Sequence, residues 1–112
     1  MFTYNDLQLK QRIGIPDAEI SQFCQKWHII KMGIFGSILS PQYRPDSDID
    51  ILIQFNPVAR QGLLTIAKIK LELENKLHRA IDIAIWEGVE NSDNWIRRKS
   101  ILDTVTIIYE QK

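Results

Sequence analysis

Cysteine is nearly missing from this chain: Cys24 stands alone, so no disulfide can form within it and its stability must come from buried apolar surface. A dominant charge is missing too. The 14 Lys and Arg are matched by 14 Asp and Glu, giving a formal net charge of zero. That argues against a bare electrostatic hold on nucleic acid or on an anionic membrane, and no strong nucleic-acid binding is expected. No apolar run approaches the roughly 20 residues that a membrane-crossing helix needs, and no basic stretch, apolar core and cleavage site open the chain as a secretory leader would. A reducing cytoplasm is therefore the expected location. No repeat, low-complexity tract or linker divides residues 1–112, which are expected to form a single domain.

What is present is the make-up of an ordinary folded protein, 45% apolar and 25% charged. Thr3 to Arg12, polar with Leu7 and Leu9 as apolar contacts, predicts a short helix, which Gly14 breaks. Pro16 suits the first turn of the next, where Asp17 and Glu19 complement the helix dipole. Ile20, Phe23, Cys24 and Trp27 then recur at i, i+3, i+4 and i+7, one apolar helix face. Cys24 and His28, four apart, could share a metal ion, but no second ligand pair follows and Cys24 falls in the apolar stripe, so a packed cysteine is the better reading. His28 and His78 both read as structural or surface residues.

Two short apolar runs, Ile29 to Phe35 and Ile49 to Phe55, predict buried strands, the second ended by Asn56-Pro57. Leu63 to Leu77 predicts a helix rich in Leu, Lys and Glu, with Glu72 and Lys76 as an i, i+4 pair worth about 0.3 kcal/mol. Ala80 to Trp86 predicts a third strand. Ser92 or Asp93 is expected to cap a helix running to about Leu102, and β-branched Thr104 to Tyr109 predicts a last strand. Trp27 and Trp86 fall at core spacing, Trp95 is open, and Arg97-Arg98-Lys99 reads as a solvated helix face.

The chemistry concentrates between the first two strands. A strand sends residues i and i+2 to one face, so Asp48 and Asp50 converge while Ile49 and Ile51 point away. Like charges that close raise each other's proton affinity unless a cation neutralises them, and magnesium is the usual partner near phosphate. Gly36-Ser37, just after the first strand, is a turn where a phosphate can approach backbone N–H groups without a Cβ in the way. Asp82 is the single charge in the third strand's apolar run. Two readings stay open for it: an edge residue facing water or pairing with Arg79, or a third ligand beside Asp48 and Asp50, giving the three carboxylates that can hold two metal ions for displacement at phosphorus.

Gly36-Ser37, ten residues, Asp48-Ile49-Asp50 and then Asp82 together resemble the nucleotidyltransferase superfamily that includes DNA polymerase beta, and most closely its minimal members. The resemblance implies an α+β fold, two layers with a small mixed sheet of about four strands packed against helices. It implies that Gly36 and Ser37 hold the nucleoside triphosphate, that Asp48 and Asp50 bind two Mg2+ ions, and that Asp82 helps hold the one activating the acceptor hydroxyl. Many relatives carry an arginine soon after the Gly-Ser turn. Here the run is Ile38-Leu39-Ser40-Pro41, and Arg44 is the nearest cation and the candidate to reach the phosphates. The extra acceptor-binding domain of larger relatives is not expected in these 112 residues. Small stand-alone members resemble the antitoxin half of toxin–antitoxin pairs, which implies transfer of AMP from ATP to a hydroxyl, a tyrosine, of a partner HEPN ribonuclease toxin. The alternative is a non-catalytic binding module that neutralises its partner by direct contact.

Overall fold

The computed structural model of the chain describes residues 13–36, 44, 47–59 and 62–111. In order these form helix α1 (Asp17–Lys26), strands β1 (Ile29–Phe35) and β2 (Ile49–Phe55), helix α2 (Leu63–Leu77), strand β3 (Ile81–Ile85), helices α3 (Trp86–Glu90) and α4 (Trp95–Thr104), and strand β4 (Thr106–Glu110). The helix expected over Thr3 to Arg12 lies outside the described residues.

One sheet joins the strands in the order β3-β2-β1-β4. β1 runs antiparallel to both β2 and β4, whereas β2 and β3 are parallel. A parallel pair needs a crossover of a dozen or more residues, and the 15-residue α2 is that crossover. Its end is fixed by His78, left-handed at φ 54°, and by Glu74, whose carboxylate accepts the Ile81 N–H at 3.1 Å.

Alternation along the strands separates two apolar clusters. Ile49, Ile51 and Ile53 of β2, with Met32, Ile34 and Ile81, pack against Ile20, Phe23 and Cys24 of α1 and Ile69 and Leu73 of α2. On the other face Leu52 and Phe35 meet Val89 and Ile101, with Ala84, Trp86 and Val105 around them. Cys24 is fully buried and its thiol is pushed up to about 12 by that burial, as a packed cysteine should be. Gly33 answers to a different constraint, because a Cβ there would lie 2.5 Å from Val105 Cγ2: β1 passes close under the chain entering β4.

Both long strands and α2 match their expected bounds, and the small mixed sheet packed on helices is the expected fold class. Elsewhere the structure departs from expectation. Pro16 stands just outside α1, its carbonyl accepting from Glu19 and Ile20 N–H. Strand β3 stops at Ile85, and Trp86 starts a short helix in which its ring packs half-buried on the second cluster, 4.7 Å from Lys31 Nζ. The cap of α4 is Asn94, whose Oδ1 accepts the Arg97 N–H at 3.1 Å. Ser92 acts one step earlier, its hydroxyl accepting the Asn94 N–H at 3.2 Å. The last strand begins at Thr106 because α4 runs on to Thr104.

Glu72 and Lys76 do not bond each other. Glu72 accepts from Lys26 and from the Trp27 indole N–H, and Lys76 pairs with Glu19, so both tie α2 to α1. Trp95 proves 62% exposed. His28 and His78 are both exposed and left-handed at helix ends, in agreement with a structural or surface role. Among the described residues no helix is long and apolar enough to cross a membrane.

Candidate active site

Strand parity builds the site. Because Ile49, Ile51 and Ile53 are committed to the α1–α2 core, the even residues Asp50 and Leu52 must face the opposite side. The same holds for β3, where Ile81 is buried in the core and Asp82 and Ala84 alternate away from it. The parallel register sets Asp50 directly beside Asp82, on strands about 4.8 Å apart. Asp48 comes immediately before β2 and is exposed, two residues from Asp50. Asp82 is exposed on the edge strand and stands beside Asp50.

Gly36 closes the arrangement from the β1 side. Phe35 pairs with Asp50 across the antiparallel ladder, and the chain then turns at Gly36 with φ +82°. A Cβ at Gly36 would lie 2.1 Å from Asp50 Oδ2. Glycine is thus required twice, for the left-handed backbone and for the space that the carboxylate occupies. On the opposite flank Arg79, just ahead of β3, donates from Nη2 to the Ser47 carbonyl and, at 3.5 Å, to that of Arg44. This fixes the segment that delivers Asp48.

The electrostatics follow from that crowding. Burial first, and then the negative charges of Asp82 and Asp48, raise the proton affinity of Asp50 above the ordinary carboxylate range, while Arg97 of α4 opposes them. Oxygen donors under mutual repulsion are the kind a hard divalent cation takes up. Among the described residues no group of three or more His, Cys, Asp or Glu side chains stands in an ion-holding arrangement.

Of the expected site residues, Asp48, Asp50, Asp82 and Gly36 come together. Ser37 lies outside the described residues. Arg44 is exposed, and its described contacts are through its carbonyl, which accepts from Arg79 and from Ser47 N–H. Arg97 is exposed, as the solvated-face reading expected, and its charge still lowers the proton affinity of Asp50. The return of α4 over the sheet brings it there, and the cap of that helix is Asn94, just past the expected caps Ser92 and Asp93.

This carboxylate pair, with a glycine turn against it at one end of a small mixed sheet, is the candidate active site. The family model for the nucleotidyltransferase domain matches residues 19–108, and the chain belongs to that family: it is a nucleotidyltransferase. A Methanocaldococcus jannaschii chain inferred to be a protein adenylyltransferase is 31% identical over 64 residues, 57% of this chain and 67% of that one. The solved structure of a chain inferred to be a minimal nucleotidyltransferase shares 26% identity, with a TM-score of 0.60 over 80% of this chain and 86% of its own. The structure of a tri-AMPylated Shewanella oneidensis HEPN toxin in complex with MNT antitoxin matches the fold with a TM-score of 0.60 at 12% identity, covering 92% of this chain and 73% of that one.

Proposed function

We propose that this nucleotidyltransferase is an antitoxin that moves AMP from ATP onto a hydroxyl, a tyrosine side chain, of a HEPN ribonuclease partner in the cytoplasm and so silences it. The observation that carries the reading is the register of Asp50 beside Asp82 with Gly36 seated on the Asp50 carboxylate. The Methanocaldococcus and Shewanella relatives support AMP as the group and a toxin protein as the acceptor.

Gly36 and Ser37 receive the triphosphate on the β1 side, through backbone N–H groups of the turn. Arg44 is the loop cation nearest that turn in sequence. Asp48, Asp50 and Asp82 would hold two Mg2+ ions, which supply a lowered proton affinity for the attacking hydroxyl and charge neutralisation for departing pyrophosphate. Asp82, exposed at the sheet edge, faces the side from which the acceptor comes and takes the hydroxyl proton. The hydroxyl oxygen bonds to the α-phosphorus as the bond from that phosphorus to the bridging oxygen breaks and pyrophosphate leaves. Positioning and electrostatics do nearly all of this work.

A second reading, silencing by contact alone, is favoured by one feature. Leu64 and Leu71, seven residues apart on α2, are 70% and 61% exposed, an apolar stripe suited to a protein partner. Incubation with α-labelled ATP, magnesium and the neighbouring gene's product separates the two. Asp48→Ala with Asp50→Ala should abolish labelling and neutralisation together; neutralisation that survives without labelling would favour the contact reading.

A further inference from the structure

We propose that the cleft between the outer edge of β3 and helices α3 and α4 binds an extended, acidic segment of the acceptor protein and delivers its hydroxyl to Asp82, with Arg97 as the positioning cation. This rests on the adenylyl-transfer reading above and names the side from which the acceptor enters and the chemistry it carries there.

The cleft has a volume of about 260 Å³ and is lined by Ile83, Ala84 and Ile85 of β3, Gly88 of α3, and Arg97 and Arg98 of α4. Successive strand residues point to opposite faces, so three in a row can share one cleft only along the strand's edge. Among the described residues β3 is terminal in the sheet. Past the Ile81 N–H, which Glu74 takes, its outer N–H and C=O groups are therefore available to an added extended chain, a common mode of peptide recognition.

Size decides which substrate goes here. Sites for whole small molecules run to about 300–1,000 Å³, so this cleft takes one or two side chains and not a nucleoside triphosphate. Position agrees: β2, with Asp50, stands between the β3 edge and the Gly36 turn on β1. The cleft starts one residue beyond Asp82, about 3.3 Å along the strand, so a segment lying on β3 passes the carboxylate within a residue or two.

Charge gives the rest. Arg97 is exposed and among the described residues its guanidinium makes no ion pair, yet its field reaches Asp50. Arg98 is held by its bond from Nη1 to the Ser92 carbonyl at 3.0 Å. Two arginines beside Ser92 and the apolar residues of β3 suit carboxylates flanking an acceptor side chain. A nucleic-acid end is disfavoured by the chain's zero net charge. The adjacent apolar surface, Trp95 and Ile96 at 62% and 65% exposed, is of the kind that anchors proteins.

The test uses the full chain, magnesium, α-labelled ATP and synthetic peptides with one tyrosine flanked by Asp and Glu, by Ala or by Lys, alongside a short RNA with a free 3′-hydroxyl. The acidic peptide should show the highest kcat/KM, by about tenfold or more. Arg97→Glu should reverse that order, and Arg97→Lys should restore most of it. Gly88→Leu should fill the cleft without disturbing the fold, since a Cβ at Gly88 meets nothing within 4 Å. It should lower acceptor kcat/KM by about tenfold while ATP affinity stays unchanged. Labelling indifferent to flanking charge and to both variants, ATP affinity that falls as far as acceptor kinetics, or labelling of the RNA in place of peptides would each overturn the inference alone. Absence of transfer to every acceptor would overturn it together with the adenylyl-transfer reading.

Discussion

The two faces of β2 are made by the same seven residues, yet one is apolar core along its length while the other carries the charge of Asp50 beside a second apolar cluster at Leu52. Ile49, Ile51 and Ile53 are fully or almost fully buried under α1 and α2, while Asp50 on the opposite face stands among two other carboxylates. The difference teaches that packing fixes the chemistry. Because three isoleucines can be satisfied only on the helix side, the register that buries them also forces Asp50 onto the face it shares with Asp82. A fold-determining constraint and a function-determining one are the same constraint.

The most severe way to break the comparison is to put a charge on the wrong face. Ile51→Asp places an unpaired carboxylate in the core at a cost of several kcal/mol, comparable to the roughly 5–15 kcal/mol that holds a domain together. The variant should show no cooperative thermal transition by circular dichroism. Leu64→Asp on the exposed side of α2 should change stability by no more than about 0.5 kcal/mol.

Removing the charge from the right face should do the reverse. Asp50→Asn should lower transfer by at least about 10²-fold, the scale of losing one preorganised electrostatic group. It should also raise Tm in metal-free neutral buffer. The sign follows from linkage: Asp50 binds its proton more tightly folded than unfolded, so stability is lost as pH rises from the ordinary carboxylate range through the raised folded value. The Tm gap between variant and wild type should open over that interval, close at acid pH, and narrow at neutral pH when magnesium is added. A Tm lower than wild type at neutral pH would mean that the carboxylates are not in mutual repulsion.

Gly36→Ala tests the contact between turn and carboxylate. A left-handed backbone costs a non-glycine residue about 1–2 kcal/mol, and the added Cβ would strike Asp50 Oδ2. In an Asp50→Ala background the clash with the carboxylate disappears, leaving the Cβ of residue 50 at 3.3 Å. A double-mutant cycle should therefore show a coupling of about 0.5–3 kcal/mol, whereas simple additivity would deny the contact.

Much of this was legible in the sequence, for physical reasons. β1, β2 and α2 stood out because a glycine or an Asn-Pro pair punctuates the strands and the helix repeats its apolar residues over 15 positions. Asp48 and Asp50 were readable as a pair because strand period alone puts them on one face. The pairing of Asp50 with Asp82 was not, since parallel register is set by the length and packing of α2 and not by any residue near either aspartate. The end of β3 was hidden because its apolar run continues into Trp86, which packs equally well from a helix. Arg97 reads as part of a solvated helix face and is exposed; what the sequence could not show is that the path of α4 brings its charge within reach of Asp50.

That path supplies the smallest effect and the most local one. Asn94 is the single side chain capping α4, and the N–H it accepts belongs to Arg97. Loss of the cap in Asn94→Ala should cost about 1 kcal/mol, and Asn94→Gly only a few tenths. If the cap matters only for stability, transfer measured well below Tm should be unchanged in both variants. If it also fixes where the Arg97 side chain stands relative to Asp50, Asn94→Ala should raise the acceptor KM several-fold at constant ATP affinity, and Asn94→Asp, which retains the accepting oxygen, should restore it. The KM therefore distinguishes a helix that merely covers the charged face of β2 from one that takes part in its chemistry.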